Sequence, residues 1–313
     1  MSLDDDSGDS GQGGGGNLRA SPVDHLERLE AATRLERAGS LADADALFLS
    51  VVEQAPRQVA AARALLRRAH IHRAWGTWQD AIRFAQDGRA LARQLGEPDL
   101  EAELLNAEGA VHQARGALDE AEALFTGMLG IARGVRVRGV ALQNLGANAA
   151  MRRDFEEAAR RFAGSEECFR KAGYRRGEAF ALNNRGRALL DQGRPDQAQT
   201  ALFRAAEIAA EVGDLDLRAL ALMNAAEAYL KRGERARARE YLSRACAYYN
   251  TTQNPGRVIE CLKLEGDIAL DAGDLKVTRL VWHEALDLAA TMGAATEVTE
   301  LRARLRRFEQ EKG

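Results

Sequence analysis

Six carboxamide side chains recur along this sequence at a near-constant interval: Asn106, Gln143, Asn144, Asn183, Asn184 and Asn224. Asn106 precedes Gln143 by 37 residues and Gln143 precedes Asn183 by 40, while Asn144, Asn184 and Asn224 stand 40 apart. A carboxamide carries both donors and an acceptor, so a ladder of them can grip an extended backbone whatever its side chains. Asparagine in the body of a helix is unfavourable beside Ala or Glu, because its side chain competes for backbone hydrogen bonds. Its repetition needs a reason, and the plainer one is that each amide ties down a neighbouring helix or loop.

The other candidate groups carry less chemistry. Of the five histidines (His25, His70, His72, His112 and His283), His72 and His112 occupy one repeat position in adjacent copies. A metal ion needs more ligands than this pair, with groups to support them. We expect the two imidazoles to pack at a helix-pair interface and to hydrogen-bond to backbone, with no metal and no cofactor. The carboxylate pairs Glu156–Glu157 and Glu166–Glu167 sit among arginines and read as surface charge. Cys168, Cys246 and Cys261 form no CxxC pair and suit a reduced, cytoplasmic protein. Cys246 and Cys261 can approach across neighbouring helices, although no structural disulfide is expected. No Walker-type loop or GxSxG occurs, and GQGGGG precedes no strand–helix unit that could cradle a phosphate. The expectation is a protein without catalytic residues.

The elements that must position these residues show themselves as a repeat. A short stretch of Gly, any residue, Leu or similar, two more, then Ala starts at Gly39, Gly76, Gly116, Gly193, Gly233 and Gly273, with Arg153 standing for a seventh member. Seven residues earlier runs a series of small residues: Ala32, Ala69, Gly109, Gly146, Gly186, Ala226 and Gly266. Five residues after it runs another: Ala44, Ala81, Ala121, Ala158, Ala198, Ala238 and Thr278. These three series describe an antiparallel pair, helix A then helix B. The first small residue lies mid-way along helix A, the second in the first turns of helix B, and both let the two backbones approach. The glycine between them ends helix A in the left-handed conformation. Large apolar residues fall on one face at helical spacing, among them Leu65, Leu105, Leu182 and Leu222 on helix A and Phe48, Phe125, Phe162, Leu202 and Trp282 on helix B. Gly96, Gly173, Gly213 and Gly293 mark the ends of helix B, and Gln253 takes that place in the sixth copy.

This pattern resembles the tetratricopeptide repeat, best in the copy with Leu182, Gly186, Leu189, Ala198, Leu202 and Ala205. The resemblance covers residues 24–293; the usual period is about 34 residues, so this is a long form. It looks like the repeats of G-protein-signalling scaffolds, kinesin light chains, bacterial Rap-type regulators and maltose-regulator-type transcription factors. It implies an all-α, right-handed superhelical solenoid of seven antiparallel helix pairs, with helix A lining a concave groove. The groove positions lie three and two residues before the helix A small residue, one after it, and four and five after it. They place Asn106, Gln143, Asn144, Asn183, Asn184, Arg187, Asn224 and Lys263 as partner-binding residues. The family's clamp for acidic C-terminal peptides is not matched, since Asp267 stands where an arginine is expected.

Composition agrees with a helical interaction protein. The chain has 313 residues, 29% charged and 5% aromatic, with only five prolines. Both charge signs are interleaved to a net charge of −3, which argues against nucleic acid as a partner. No run is long and apolar enough for a membrane span. We expect residues 1–20, acidic and Gly-rich, to be disordered, residues 21–293 to form the repeats, and residues 294–313 to form a capping helix through Val298, Leu301, Leu305 and Phe308. The expected function is a non-catalytic scaffold that binds a protein or peptide in its groove. The alternative is a regulator that changes shape on sensing a peptide or metabolite.

Overall fold

The computed structural model describes residues 22–312, so the tail expected to be disordered lies outside the described residues. Among the described residues there are fifteen α-helices and no strand. The chain divides into two compact units, one ending at Glu97 and one beginning at Pro98. The first holds α1 (Pro22–Arg37), α2 (Leu41–Gln54), α3 (Val59–Ala74) and α4 (Trp78–Leu95). The second holds α5 (Pro98–Ala114), α6 (Leu118–Ile131), α7 (Val135–Met151), α8 (Phe155–Lys171), α9 (Arg175–Asp191), α10 (Pro195–Glu211), α11 (Leu215–Lys231), α12 (Arg235–Thr251), α13 (Pro255–Asp271), α14 (Leu275–Thr291) and α15 (Ala295–Lys312). Odd-numbered helices from α1 to α13 are the seven helices A, each packed on the even-numbered helix B that follows. The all-α fold of seven paired helices and one more is therefore the fold anticipated from the repeat.

Helix length explains the period. Each 40-residue step in the later copies is two helices of 17 residues joined by three-residue turns. The 37-residue steps fall where helix B has only 14 residues, in α2 and α6. At the end of α6 no left-handed residue closes the helix. Instead Asp99 on α5 accepts hydrogen bonds from the amides of Arg133 (2.8 Å) and Gly134 (2.9 Å). Helix α2 likewise ends without a left-handed residue, at Ala55, and the closures at the left-handed positions are of the Schellman type. Gly193 has φ +73°, its amide bonds Leu190 O at 3.0 Å, and Arg194 N bonds Leu189 O at 2.9 Å. Arg153 (φ 63°) and Gln253 (φ 50°) hold the same conformation without glycine's freedom. Asp154, Asp214, Asn254 and Asp274 cap the helices that follow their turns, each accepting from a backbone amide three residues on.

The small residue of helix A serves a different purpose from the one anticipated. A side chain, not the facing backbone, fills the space it leaves. A Cβ on Gly186 would lie 2.5 Å from Leu202, on Gly109 2.6 Å from Phe125, on Gly146 2.7 Å from Phe162, and on Gly266 2.2 Å from Trp282. In each case the intruding side chain lies sixteen residues on, one turn after the helix B small residue. That small residue is fully buried in all seven copies, Thr278 included. Copy 2 departs: Ala85 stands at the large position, and the neighbouring Phe84 packs under the Arg68 guanidinium, 4.1 Å from its ring centre.

Helix α15 closes the second unit. Leu301, Leu305 and Phe308 are buried, with Phe308 edge-on to Trp282 at 5.8 Å. Arg302 and Arg306 are exposed on the opposite side. Arg306 falls 40 residues after Gly266, so α15 holds the register of an eighth helix A with arginine in place of the small residue.

Two substitution series test this packing. Gly186→Ala gains about 1 kcal/mol of helix propensity, yet the clash with Leu202 should make it destabilising in urea unfolding. Gly186→Leu and Ala198→Leu should each lose about 1–3 kcal/mol or more; full stability in both would refute the register. Arg153→Gly at the exposed left-handed turn should instead gain roughly 0.5–1 kcal/mol.

Candidate functional site

In the second unit, α9, α11, α13 and α15 line one cavity of about 610 Å³. Helix α11 places all five groove positions there: Met223, Asn224, Glu227, Leu230 and Lys231. Asn183, Asn184 and Arg187 come from α9, and Lys263, Leu264 and Asp267 from α13. Five of the eight predicted binding residues thus share a wall: Asn183, Asn184, Arg187, Asn224 and Lys263. Asn106, Gln143 and Asn144, on α5 and α7, lie outside this cavity.

The carboxamides bond to one another across neighbouring helices A. Asn224 donates to Asn183 Oδ1 at 3.0 Å, and Asn183 donates to Asn184 Oδ1 at 3.2 Å. Asn144 donates to Asn106 Oδ1. Gln143 Oε1 accepts from the Ser165 hydroxyl at 3.2 Å, on the helix B of its own pair. Asn183 and Asn224 are buried, while Asn184, Asn144 and Asn106 keep part of their surface in solvent. These bonds join α5 to α7 and α9 to α11, and the exposed members retain N–H groups beyond them.

Charge in the cavity is also largely paired. Arg187 bridges Asp191 at 2.9 Å and Glu227 at 2.5 Å. Lys231 lies 3.6 Å from Glu227. Lys263 Nζ stands 3.0 Å from both Glu260 and Glu300. Arg304 donates to Asp267 at 2.7 Å and to Glu300 at 3.1 Å. Arg257 is the one cation of the lining with no carboxylate partner among the described residues. Burial pushes the Asp267 carboxyl above its usual range, against the pull of Arg304. Burial works to lower the Lys263 ammonium, but the hydrogen bonds to Glu300 and Glu260 prevail and hold it above its usual value.

Glu300 and Arg304 were not among the predicted residues. The signal was present: they follow Glu260 and Leu264 by 40 residues, so carrying the register one copy further finds both. Leu220 and Glu260, six residues before their small residues, share the groove face at helical spacing and were also missed.

The remaining groups behave as structural residues. In the first unit His72 bonds to the Thr77 hydroxyl at 2.8 Å, faces Asp45 at 3.5 Å and meets the rings of Trp75 and Phe84 at 5.0 and 4.9 Å. Its partners are side chains, not the backbone expected, because helix carbonyls nearby are already used by the helix. Cys246 and Cys261 pack in one cluster across α12 and α13 as free thiols. A hydrogen bond between them lowers Cys246 and raises Cys261. Among the described residues no group of three or more His, Cys, Asp or Glu is placed to hold a metal ion, and no helix is long and apolar enough to cross a membrane.

His70 supplies a pH prediction. Burial, with Arg67 and Arg73 nearby, lowers its imidazole from 6.5 to about 4. The unfolded chain binds this proton more readily than the folded one. Stability should therefore fall as pH drops through 6.5 towards 4, and His70→Gln should flatten that slope in thermal melts.

The chain was compared with known proteins. A sequence profile of the tetratricopeptide repeat matches residues 177–251. No curated protein matches the chain. Among solved structures, the apo form of RapI is similar at TM-score 0.66 and 13% identity, covering 85% of this chain and 77% of that one. A Rap protein complexed with competence and sporulation factor is similar at TM-score 0.64 and 14% identity, covering 90% of this chain and 80% of that one. BtubC from P. vanneervenii is similar at TM-score 0.60 and 18% identity, covering 74% of this chain and 92% of that one. At these identities the likeness concerns the fold. Residues 177–251 thus match the tetratricopeptide repeat, and the described helices share their paired-helix fold with these structures.

Proposed function

We propose that the chain is a non-catalytic interaction scaffold that holds a segment of a partner protein against its helices A. One observation supports this most: the five groove positions of α11, assigned from the repeat register, all line a single cavity. Their neighbours on α9 and α13 supply amides and charges around an apolar floor of Leu220, Met223 and Leu264. The lining is mainly polar and charged, with Leu220, Met223, Leu230 and Leu264 as its apolar part, which suits a peptide with both kinds of side chain. The three free thiols suit a reducing, cytoplasmic setting.

A second reading is favoured by the structural neighbour that was crystallised with competence and sporulation factor. On it the chain would be a sensor whose cavity takes a small peptide or metabolite and whose repeats then shift. A thermal-shift screen against peptides and metabolites, followed by small-angle scattering, separates the two. A sensor gains stability and changes its radius of gyration with a small ligand, whereas a scaffold responds to a partner protein without such a change.

The amide ladder gives the mutational test. Asn144→Ala and Asn184→Ala should weaken capture of the native partner in pull-downs while leaving the melting temperature nearly unchanged, since both are part-exposed. Asn224→Ala should also weaken capture, but it leaves the buried Asn183 oxygen without its donor. A loss of about 1 kcal/mol and about 1–3 °C in melting temperature should accompany it. Capture unaffected by all three would remove the ladder from the site.

A further inference from the structure

We propose that the partner segment is an amphipathic α-helix lying across α7, α9 and α11, with an acidic side chain over Arg257. This rests on the scaffold reading and names the form of its guest. Val140, Phe180 and Leu220 each stand six residues before the small residue of their helix A and four before Asn144, Asn184 and Asn224. Residues four apart share a helix face, so an apolar row runs beside the amide row, one side chain per repeat. Phe180 is 47% exposed, and Met151, on the same face of α7, is 53% exposed. Val140 and Leu220 are half-buried against the core, so Phe180 is the member of the row that stands out, with Met151 beside it, and Leu220 carries the row into the cavity.

Spacing selects the guest. The helices α7, α9 and α11 touch in succession, and packed helices lie roughly 8–10 Å apart. The apolar row therefore repeats about every 10 Å. In a guest helix, residues seven apart return to one face after about 10.5 Å. An extended strand presents same-face side chains about every 6.8 Å and is out of step by the second contact. Charge selects one end of the guest. The other cations of the cavity already have carboxylate partners, and Arg257 has none among the described residues, so the guest supplies it.

The test uses the full chain and fluorescence anisotropy with three labelled 18-residue synthetic peptides. The first is an Ala-rich helix with leucines seven apart on one face and two glutamates beyond the last leucine. The second has lysines for the glutamates. The third has the composition of the first, reordered so that apolar and polar residues alternate. The first should bind at least tenfold more tightly than either other. Phe180→Ser should weaken it at least tenfold, and Arg257→Glu should reverse the preference between the first and second peptides. Both side chains are only partly buried, and circular dichroism checks that the variants fold. Equal binding of the alternating peptide, indifference to either substitution, or no binding of the first peptide would overturn the inference. If the native partner is still captured through Asn144 and Asn184 in that event, the scaffold reading stands and only the helical guest falls.

Discussion

A large side chain of helix B seated over a missing side chain of helix A fixes the crossing of each pair, and the rest of the repeat is built around that contact. Glycine in mid-helix costs about 1 kcal/mol relative to alanine. Burying a Leu or Phe side chain returns about 1.5–3 kcal/mol. The balance allows glycine opposite Phe125, Phe162, Leu202 and Trp282. Ala32 and Ala226 stand at the same position in copies whose partners are Phe48 and Leu242, and both alanines are buried. The position therefore also accepts one methyl group in these copies.

With the crossing fixed, the lengths of helices and turns decide which residues of successive copies stand side by side. Seventeen-residue helices and three-residue turns keep α9, α11, α13 and α15 in one register, and the cavity lies where that register is unbroken. The shorter α6 interrupts it by three residues, and Asp99 takes over the work of a terminal glycine there. Asn106 and Asn144 still meet across this interruption, which shows that helices A remain adjacent even when the helix B between them is shortened.

The cavity is polar but balanced. Partly exposed ion pairs contribute roughly 0–1 kcal/mol each to stability, so Arg187–Glu227 or Lys263–Glu300 do little to hold the fold. Their effect is on what may enter. Apart from an acidic group over Arg257, a charged guest must break a pair or bring its own complement, whereas an apolar guest meets Leu220, Met223 and Leu264 without disturbing any pair. Helix α15 shapes this end of the cavity, since Glu300 and Arg304 occupy places that Glu260 and Leu264 hold one copy earlier.

Much of this was legible in the sequence, because the repeat states each geometric demand seven times. The left-handed turns, Arg153 and Gln253 among them, the helix B ends and the small-residue columns all follow from residue type and interval. Five of the residues around the cavity follow from the repeat register together with the groove face that the tetratricopeptide resemblance implies. Three things required the tertiary structure. Small-residue spacing does not reveal whether a backbone or a side chain fills the gap, and here it is the side chain sixteen residues on. A column of asparagines does not reveal its partners, because hydrogen bonds such as Asn183–Asn224 depend on the distance between helices some 40 residues apart. The pairing of Lys263 and Asp267 with Glu300 and Arg304 depends on where α15 docks. Periodicity determines which face a residue occupies; only packing decides what that residue meets there.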